Sequence, residues 1–234
     1  MAAEGASVAI VGRNEEDNRK LVKEIQQNGG NAYPFTAELT KPEECERTIR
    51  DIISALGRIN GLVNNAGLND GVGLETGNYE RFMQSMHNNI VHYYLMAHFA
   101  LPELIKTKGS IVNISSKAGE TGQGNTSAYA AANGGRNALT REWAVELLKY
   151  QIRVNAIVVA ECWTPQYANW ILKFKDSETR LKEIVSKIPL GKRMTTIEEI
   201  GNTAAFLLSD KSSHTTGQLI HVDGGYVHLD RALL

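Results

Sequence analysis

Residues 110–115 read Ser-Ile-Val-Asn-Ile-Ser, and residues 152–159 read Ile-Arg-Val-Asn-Ala-Ile-Val-Val. Both runs are short, rich in β-branched residues and nearly continuous in apolar character. That is the pattern of strands covered on both faces of a sheet. Between them, Ala128 to Lys149 reads as one long helix. Two such strands joined through a helix pair in parallel by a right-handed crossover.

Working outward, the same alternation continues to both ends. Ser7 to Gly12 (SVAIVG), Ala32 to Thr36, Gly61 to Asn65 (GLVNN) and Gln218 to Val222 (QLIHV) are further strands. Glu15 to Gln27 is charged except for a stripe of Leu21, Val22 and Ile25, so it is a surface helix, stopped by Gly29-Gly30. Thr40-Lys-Pro-Glu43 reads as a capping box with proline in the first turn, opening a helix to about Leu56. Asn78 to Lys106 holds one or two helices. Thr195 to Glu198 reads as a second capping box, with its helix running through Leu208. There is no internal repeat, low-complexity tract or linker. The expected fold is α/β, one Rossmann-type domain over residues 1–234 with a doubly wound parallel sheet.

Composition narrows the function classes. The chain has 234 residues, 42% of them hydrophobic and 22% charged, as in ordinary globular proteins. A formal net charge of −1 gives no pull toward nucleic acid or an anionic membrane. No apolar run approaches the roughly 20 residues that span a bilayer, and residues 1–5 lack the features of a signal peptide. Two cysteines, Cys45 and Cys162, form neither a metal-ligand spacing nor a disulfide framework. A reducing, cytoplasmic location is expected.

Five segments in order resemble the short-chain dehydrogenase/reductase family. They are Asn64-Asn65-Ala66-Gly67, Asn89, Ser116 with Tyr129 thirteen residues on, Arg153-Val154-Asn155-Ala156, and Asp223-Gly224-Gly225. The resemblance implies hydride transfer between a nicotinamide cofactor and an alcohol or carbonyl. It implies that Tyr129 exchanges a proton with the substrate oxygen and that Ser116 hydrogen-bonds the same oxygen. Asn89 is then expected to hold a relay water, and the Asn65-Ala66-Gly67 backbone to lie beside the cofactor, with glycine permitting close approach. Thr164 is expected to bond the nicotinamide amide. Family members are commonly tetramers, so a homo-oligomer (tetramer or dimer) acting on a small molecule is expected, with neither nucleic acid nor membrane as partner.

Two departures from the family pattern stand out. The first strand and the glycine-rich phosphate loop that follows it have no counterpart before Ser7, so truncation relative to the family is expected. The lysine that the family places four residues after its tyrosine is Asn133 here. Asparagine can bond ribose hydroxyls but brings no charge. Lys117, directly after Ser116, and Arg136, three residues beyond Asn133, are the candidate substitute cations. The alternative is that both are solvated surface charges.

Arg13 follows the Ser7–Gly12 strand, where an acid would bond a ribose 2′-hydroxyl and an arginine suits a 2′-phosphate. NADP is therefore expected, with NAD as the alternative, and Glu38 is placed near the adenine. Glu161, Trp163, Tyr167 and Trp170 cluster after the strand ending at Val159. Aromatic faces with a carboxylate suit a sugar, and Asn69 and Asp70 add polar groups. This segment and the tail Gly225 to Arg231 resemble the sugar-oxidising members of the family, L-fucose dehydrogenases in particular. A 3-oxoacyl or other ketone reductase, and a non-catalytic member of the fold, are the alternatives. His87, His92 and His98 have no same-face spacing and read as helix-interface or surface histidines, with no metal site expected.

Overall fold

Among the described residues, the alternation read from the sequence is realised as six parallel strands in two hydrogen-bonded groups. The computed structural model describes residues 1–229. Strand β1 (Ser7–Gly12) pairs with β2 (Asn31–Thr36). Strands β3 (Gly61–Asn64), β4 (Ser110–Ser116), β5 (Arg153–Val159) and β6 (Leu219–Val222) pair in that order. Among the described residues, no strand bridges β1 and β3. The two groups nevertheless share one core. Ala9, Val11 and Phe35 from the first pair, and Leu62 from β3, pack against Ile49, Tyr93, Leu104, Ile111 and Val154.

The central strands are buried on both faces, as their composition requires. In β4, Ile111 belongs to that core while its neighbour Val112 joins Ile157, Ala204 and Leu207 in a second one. The first core is covered by helices α2 (Pro42–Leu56), α4 (His92–Thr107) and α5 (Ser127–Glu146). The second is covered by α8 (Ile197–Leu208).

Several local expectations are corrected. α1 (Glu15–Gln27) starts as read, capped by Asn14, whose Oδ1 accepts from the Glu16 and Asp17 amides. At α2 the capping box is absent. Lys41 is the N-cap, and Thr40 instead donates its hydroxyl to Glu38. Glu44, not Glu43, reaches back, accepting the Glu38 amide at 2.7 Å. The other box lies one residue later, between Thr196 and Glu199. Residues 78–107 form α3 (Tyr79–Met86) and α4 joined by a π-helical turn, His87–Val91. Two helices after β5, α6 (Pro165–Ile171) and α7 (Ser177–Ser186), occupy a stretch whose sequence pattern gave no helix.

Candidate active site

In a parallel sheet all strands end on one side, and ligands bind in the crevice there. The C-terminal ends of β3, β4, β5 and β6 carry Asn65-Ala66-Gly67, Ser116, Glu161 and Asp223 respectively. Every candidate residue on a strand end therefore lies along one rim, with Arg13 at the corresponding end of β1.

The Asn65-Ala66-Gly67 turn is solvent-exposed and is held from beneath. Asn89 accepts the Leu68 amide at 2.9 Å, and the His92 ring contacts the Ala66 carbonyl at 3.0 Å. His92 is buried, and burial lowers its pKa against the raising effect of the His87 and Ala66 carbonyls. Kept neutral, its ring donates to only one of those two carbonyls. A Cβ on Gly67 would stand 2.7 Å from Arg136 Nη2 and 2.8 Å from Asn89 Oδ1. The glycine is thus required by side chains packed under the turn.

Those side chains form a buried network. Arg136 on α5 donates from Nε to the Asn89 carbonyl at 2.7 Å and from Nη1 to the Ile114 carbonyl at 3.2 Å. Nη1 also reaches Asn133 Oδ1 at 3.1 Å, and Nη2 reaches Asn89 Oδ1 at 3.4 Å. The guanidinium lies 4.3 Å from the centre of the Tyr93 ring. The π-helical turn carries Asn89, in keeping with the tendency of such turns to mark functional positions. A second buried chain links β3 to α5: Asn64 donates to Asn113 at 3.0 Å, and Asn113 to Thr140 at 3.0 Å.

Asn133 is fully buried, and both ends of its amide are engaged. Nδ2 donates to the Tyr129 carbonyl at 2.8 Å, and Oδ1 takes the Arg136 bond. It therefore acts on its own helix and on Arg136. Tyr129 lies in the first turn of α5, partly exposed. Ser116 ends β4 and caps the short turn Lys117–Gly119, accepting the Ala118 amide at 3.2 Å while its hydroxyl proton stays free to donate. Gly119 lets this turn rest on α5, because a Cβ there would meet the Asn133 carbonyl carbon at 2.8 Å.

Neither candidate cation is a surface charge. Lys117 is 8% exposed and Arg136 3%. Lys117 is ion-paired with Glu161 and lies 4.0 Å from the Tyr226 ring centre. Arg136 alone reaches Asn133.

Glu161 is fixed twice, by Lys117 and by the Tyr167 hydroxyl donating to Oε2 at 2.9 Å. Burial, and secondarily the Glu161 charge, pushes the Tyr167 phenol well above its usual range, so it remains a donor. Trp163, Tyr167, Trp170 and Phe174 form a ladder of ring contacts, the first tilted and the other two edge to face, with centres 6.2, 5.1 and 4.9 Å apart. Both tryptophans remain more than a third exposed. Phe174 was missed in the sequence, though its i,i+4 spacing from Trp170 was a visible signal. Thr164 caps α6 by accepting the Tyr167 amide.

The remaining candidates are more dispersed. Arg13 is exposed and has no ion pair among the described residues. Glu38 spends Oε1 on the Thr40 amide and hydroxyl. Asp70 accepts from Ser85, and Asn69 from the Gly71 amide. His87 and His98 are exposed, the latter stacked on Tyr94. Of the tail, Asp230 and Arg231 lie outside the described residues.

A doubly covered parallel sheet with these groups on its C-terminal rim defines the class of Rossmann-type oxidoreductases. Residues 1–227 match the short-chain dehydrogenase model described as enoyl-(acyl carrier protein) reductase. The chain is 35% identical to the 3-oxoacyl-[acyl-carrier-protein] reductase of Thermotoga maritima, over 97% of this chain and 89% of that one. It is 32% identical to the L-fucose dehydrogenase of Oryctolagus cuniculus, over 94% of this chain and 76% of that one. The crystal structure of Cj0485 dehydrogenase superposes with a TM-score of 0.91 at 39% identity, covering 100% of this chain and 99% of that one. The chain belongs to the short-chain dehydrogenase/reductase family, whose enzymes use nicotinamide cofactors.

Proposed function

We propose that this chain transfers a hydride between a nicotinamide cofactor and an alcohol or carbonyl carbon at the rim formed by β3, β4 and β5. The observation that carries the reading is the buried Asn89–Arg136–Asn133 network under the exposed Asn65-Ala66-Gly67 turn. It fixes the turn, the base of α5 and the Tyr129 backbone as one unit. The cofactor, when bound, supplies or accepts the hydride. The open Asn65–Gly67 turn fits a flat ring lying against backbone, and Thr164 has a hydroxyl proton left for the ring's amide. Tyr129 moves the proton on the substrate oxygen, and Ser116 donates to that oxygen. Asn89 and Asn133 act as positioning residues. Arg136 places a fixed positive charge beside Asn133, in the neighbourhood where the family lysine brings its own.

Arg13, free at the β1 rim, favours NADP over NAD, with Glu38 on the adenosine side. For the substrate, the exposed Trp163 and Trp170 faces and the immobilised Glu161 carboxylate favour a sugar such as L-fucose. A 3-oxoacyl or other ketone substrate is the second reading, favoured by the similarity to the Thermotoga reductase. A cytoplasmic homo-oligomer, tetramer or dimer, accompanies either reading.

The test is calorimetric titration with NADPH and NADH, followed by turnover of L-fucose with the oxidised cofactors and of an acetoacetyl thioester with the reduced ones. Micromolar cofactor binding with L-fucose turnover, abolished in Tyr129→Phe, is expected. An Arg13→Ala variant should lose about tenfold in NADPH affinity and little in NADH affinity. Turnover of the thioester alone selects the second reading. Absence of cofactor binding up to millimolar concentrations refutes hydride transfer by this chain.

A further inference from the structure

Three side chains that the proposed reaction leaves unused meet at one point. Glu120 follows the turn after Ser116, His221 lies in β6, and His228 sits in the tail beyond Asp223-Gly224-Gly225. Their ligand atoms all lie within 4.8 Å of one another. Glu120 Oε2 is 2.8 Å from His221 Nε2, and the two imidazole rings stand edge to face with centres 4.2 Å apart. They line a cleft of about 740 Å³ together with Asn137, Arg141 and Gln218.

We propose that Glu120, His221 and His228 form a binding site for a divalent transition-metal ion of the zinc type. Two imidazoles and one carboxylate are the borderline donor set that zinc prefers, whereas magnesium and calcium take oxygen ligands. A tetrahedral ion with bonds of about 2.0–2.1 Å sets its ligand atoms roughly 3.3 Å apart. The Glu120–His221 contact must then open by about half an ångström and the widest pair must close by about 1.5 Å. Side-chain rotation covers both, since the Glu120 and His221 side chains keep 22% and 17% of their exposure. The ion takes the place of the direct Glu120–His221 contact, and His221 binds it as the neutral imidazole through Nε2 with its one ring proton on Nδ1.

A second, independent observation points to a ligand here. Asn137 is only 5% exposed, and its Nδ2 donates to the other Glu120 oxygen, Oε1, at 3.1 Å. That is the outer contact by which metal-binding carboxylates are oriented. Its Oδ1 is buried and has no hydrogen-bond partner among the described residues. An orphaned buried acceptor costs about 1–3 kcal/mol. A water on the ion's fourth position, facing the cleft, supplies the missing donor. The nearby Arg141 is an opposing charge, and it is exposed. Once bound, the ion ties the tail carrying Tyr226 to β6 and to the segment after Ser116, and so steadies the Tyr226 ring against Lys117.

The test uses the full chain with zinc chloride in calorimetry and cobalt(II) as a spectroscopic probe. One ion per chain with micromolar or tighter affinity is expected. Cobalt should give a tetrahedral d–d spectrum without a thiolate charge-transfer band. His228→Ala, an exposed tail position, and Glu120→Gln should each weaken zinc at least tenfold while leaving the melting temperature of the metal-free protein within a few degrees. Four results would each overturn the site: no zinc binding up to millimolar, binding unchanged in both variants, a thiolate band that moves the ion to a cysteine, or magnesium bound as tightly as zinc.

Discussion

Replacing Arg136 by methionine keeps most of the side-chain volume and removes the buried charge and its donors. Four acceptors feel the loss. Ile114 O retains the Tyr93 hydroxyl at 2.9 Å, and Asn89 Oδ1 retains the Leu68 amide at 2.9 Å. Asn133 Oδ1 is left with no other donor among the described residues, and Asn89 O loses the bond from Nε. The orphaned Asn133 acceptor costs about 1–3 kcal/mol and the lost Asn89 bond about 0.5–1.5 kcal/mol, so the two together cost about 1.5–4.5 kcal/mol. Desolvation of the charge, no longer required, offsets part of this. Against a typical domain stability of about 5–15 kcal/mol, the variant should fold but melt early. Urea unfolding of Arg136→Met measures the cost. Arg136→Lys separates charge from geometry, because an ammonium keeps the charge but cannot span Asn89 and Asn133 with one planar fork. We expect Arg136→Lys to recover less than half of the lost stability. A methionine variant that loses under about 1 kcal/mol would refute the view that this guanidinium satisfies the two acceptors.

Asn133→Lys, the change that restores the family's residue, should not rescue or raise turnover by itself. It buries an ammonium beside the Arg136 guanidinium, and thermal melts should show the single variant well below the wild type. Adding Arg136→Met should recover part of the loss, and a single variant as stable as wild type would contradict the arrangement. Burial raises the Cys45 and Cys162 thiols to about 11. At pH 8 only roughly 0.1% of each is thiolate. Aromatic disulfide reagents should therefore modify the native protein slowly and both thiols quickly in denaturant, whereas fast native labelling would show the burial to be wrong. Gly67→Ala should cost about 1–3 kcal/mol and lower cofactor affinity, since the new methyl displaces Arg136 or Asn89. A fully stable Gly67→Ala protein with native affinity would show that the turn is not pinned from below.

The alternation of apolar runs and helical stretches determined the α/β class, the parallel pairing and the order of the elements, because burial on both faces leaves a compositional trace in each strand. Of the spaced motifs, Asn65 to Gly67 follows β3, Ser116 ends β4 and Tyr129 lies in the first turn of α5, while Arg153 to Ala156 opens β5. Caps were read less well. A Thr-x-x-Glu pattern states which residues can cap, but Glu38 takes the Thr40 amide and hydroxyl, Glu44 takes the Glu38 amide, and Lys41 becomes the N-cap of α2. What only the tertiary structure decided is which polar groups meet. Asn89, Asn133 and Arg136 lie on two elements, and a buried guanidinium has the same letter as a solvated one. Lys117 and Glu161 are 44 positions apart, and His221 and Glu120 are 101 apart. No local periodicity records such pairs, because they are brought together by strand register and by the crossing of α5 over the sheet. The sequence thus determined which strands and helices form and in what order, α6 and α7 excepted. Packing decided which charges were buried, which acceptors they satisfied, and which side chains were left over to meet at the tail.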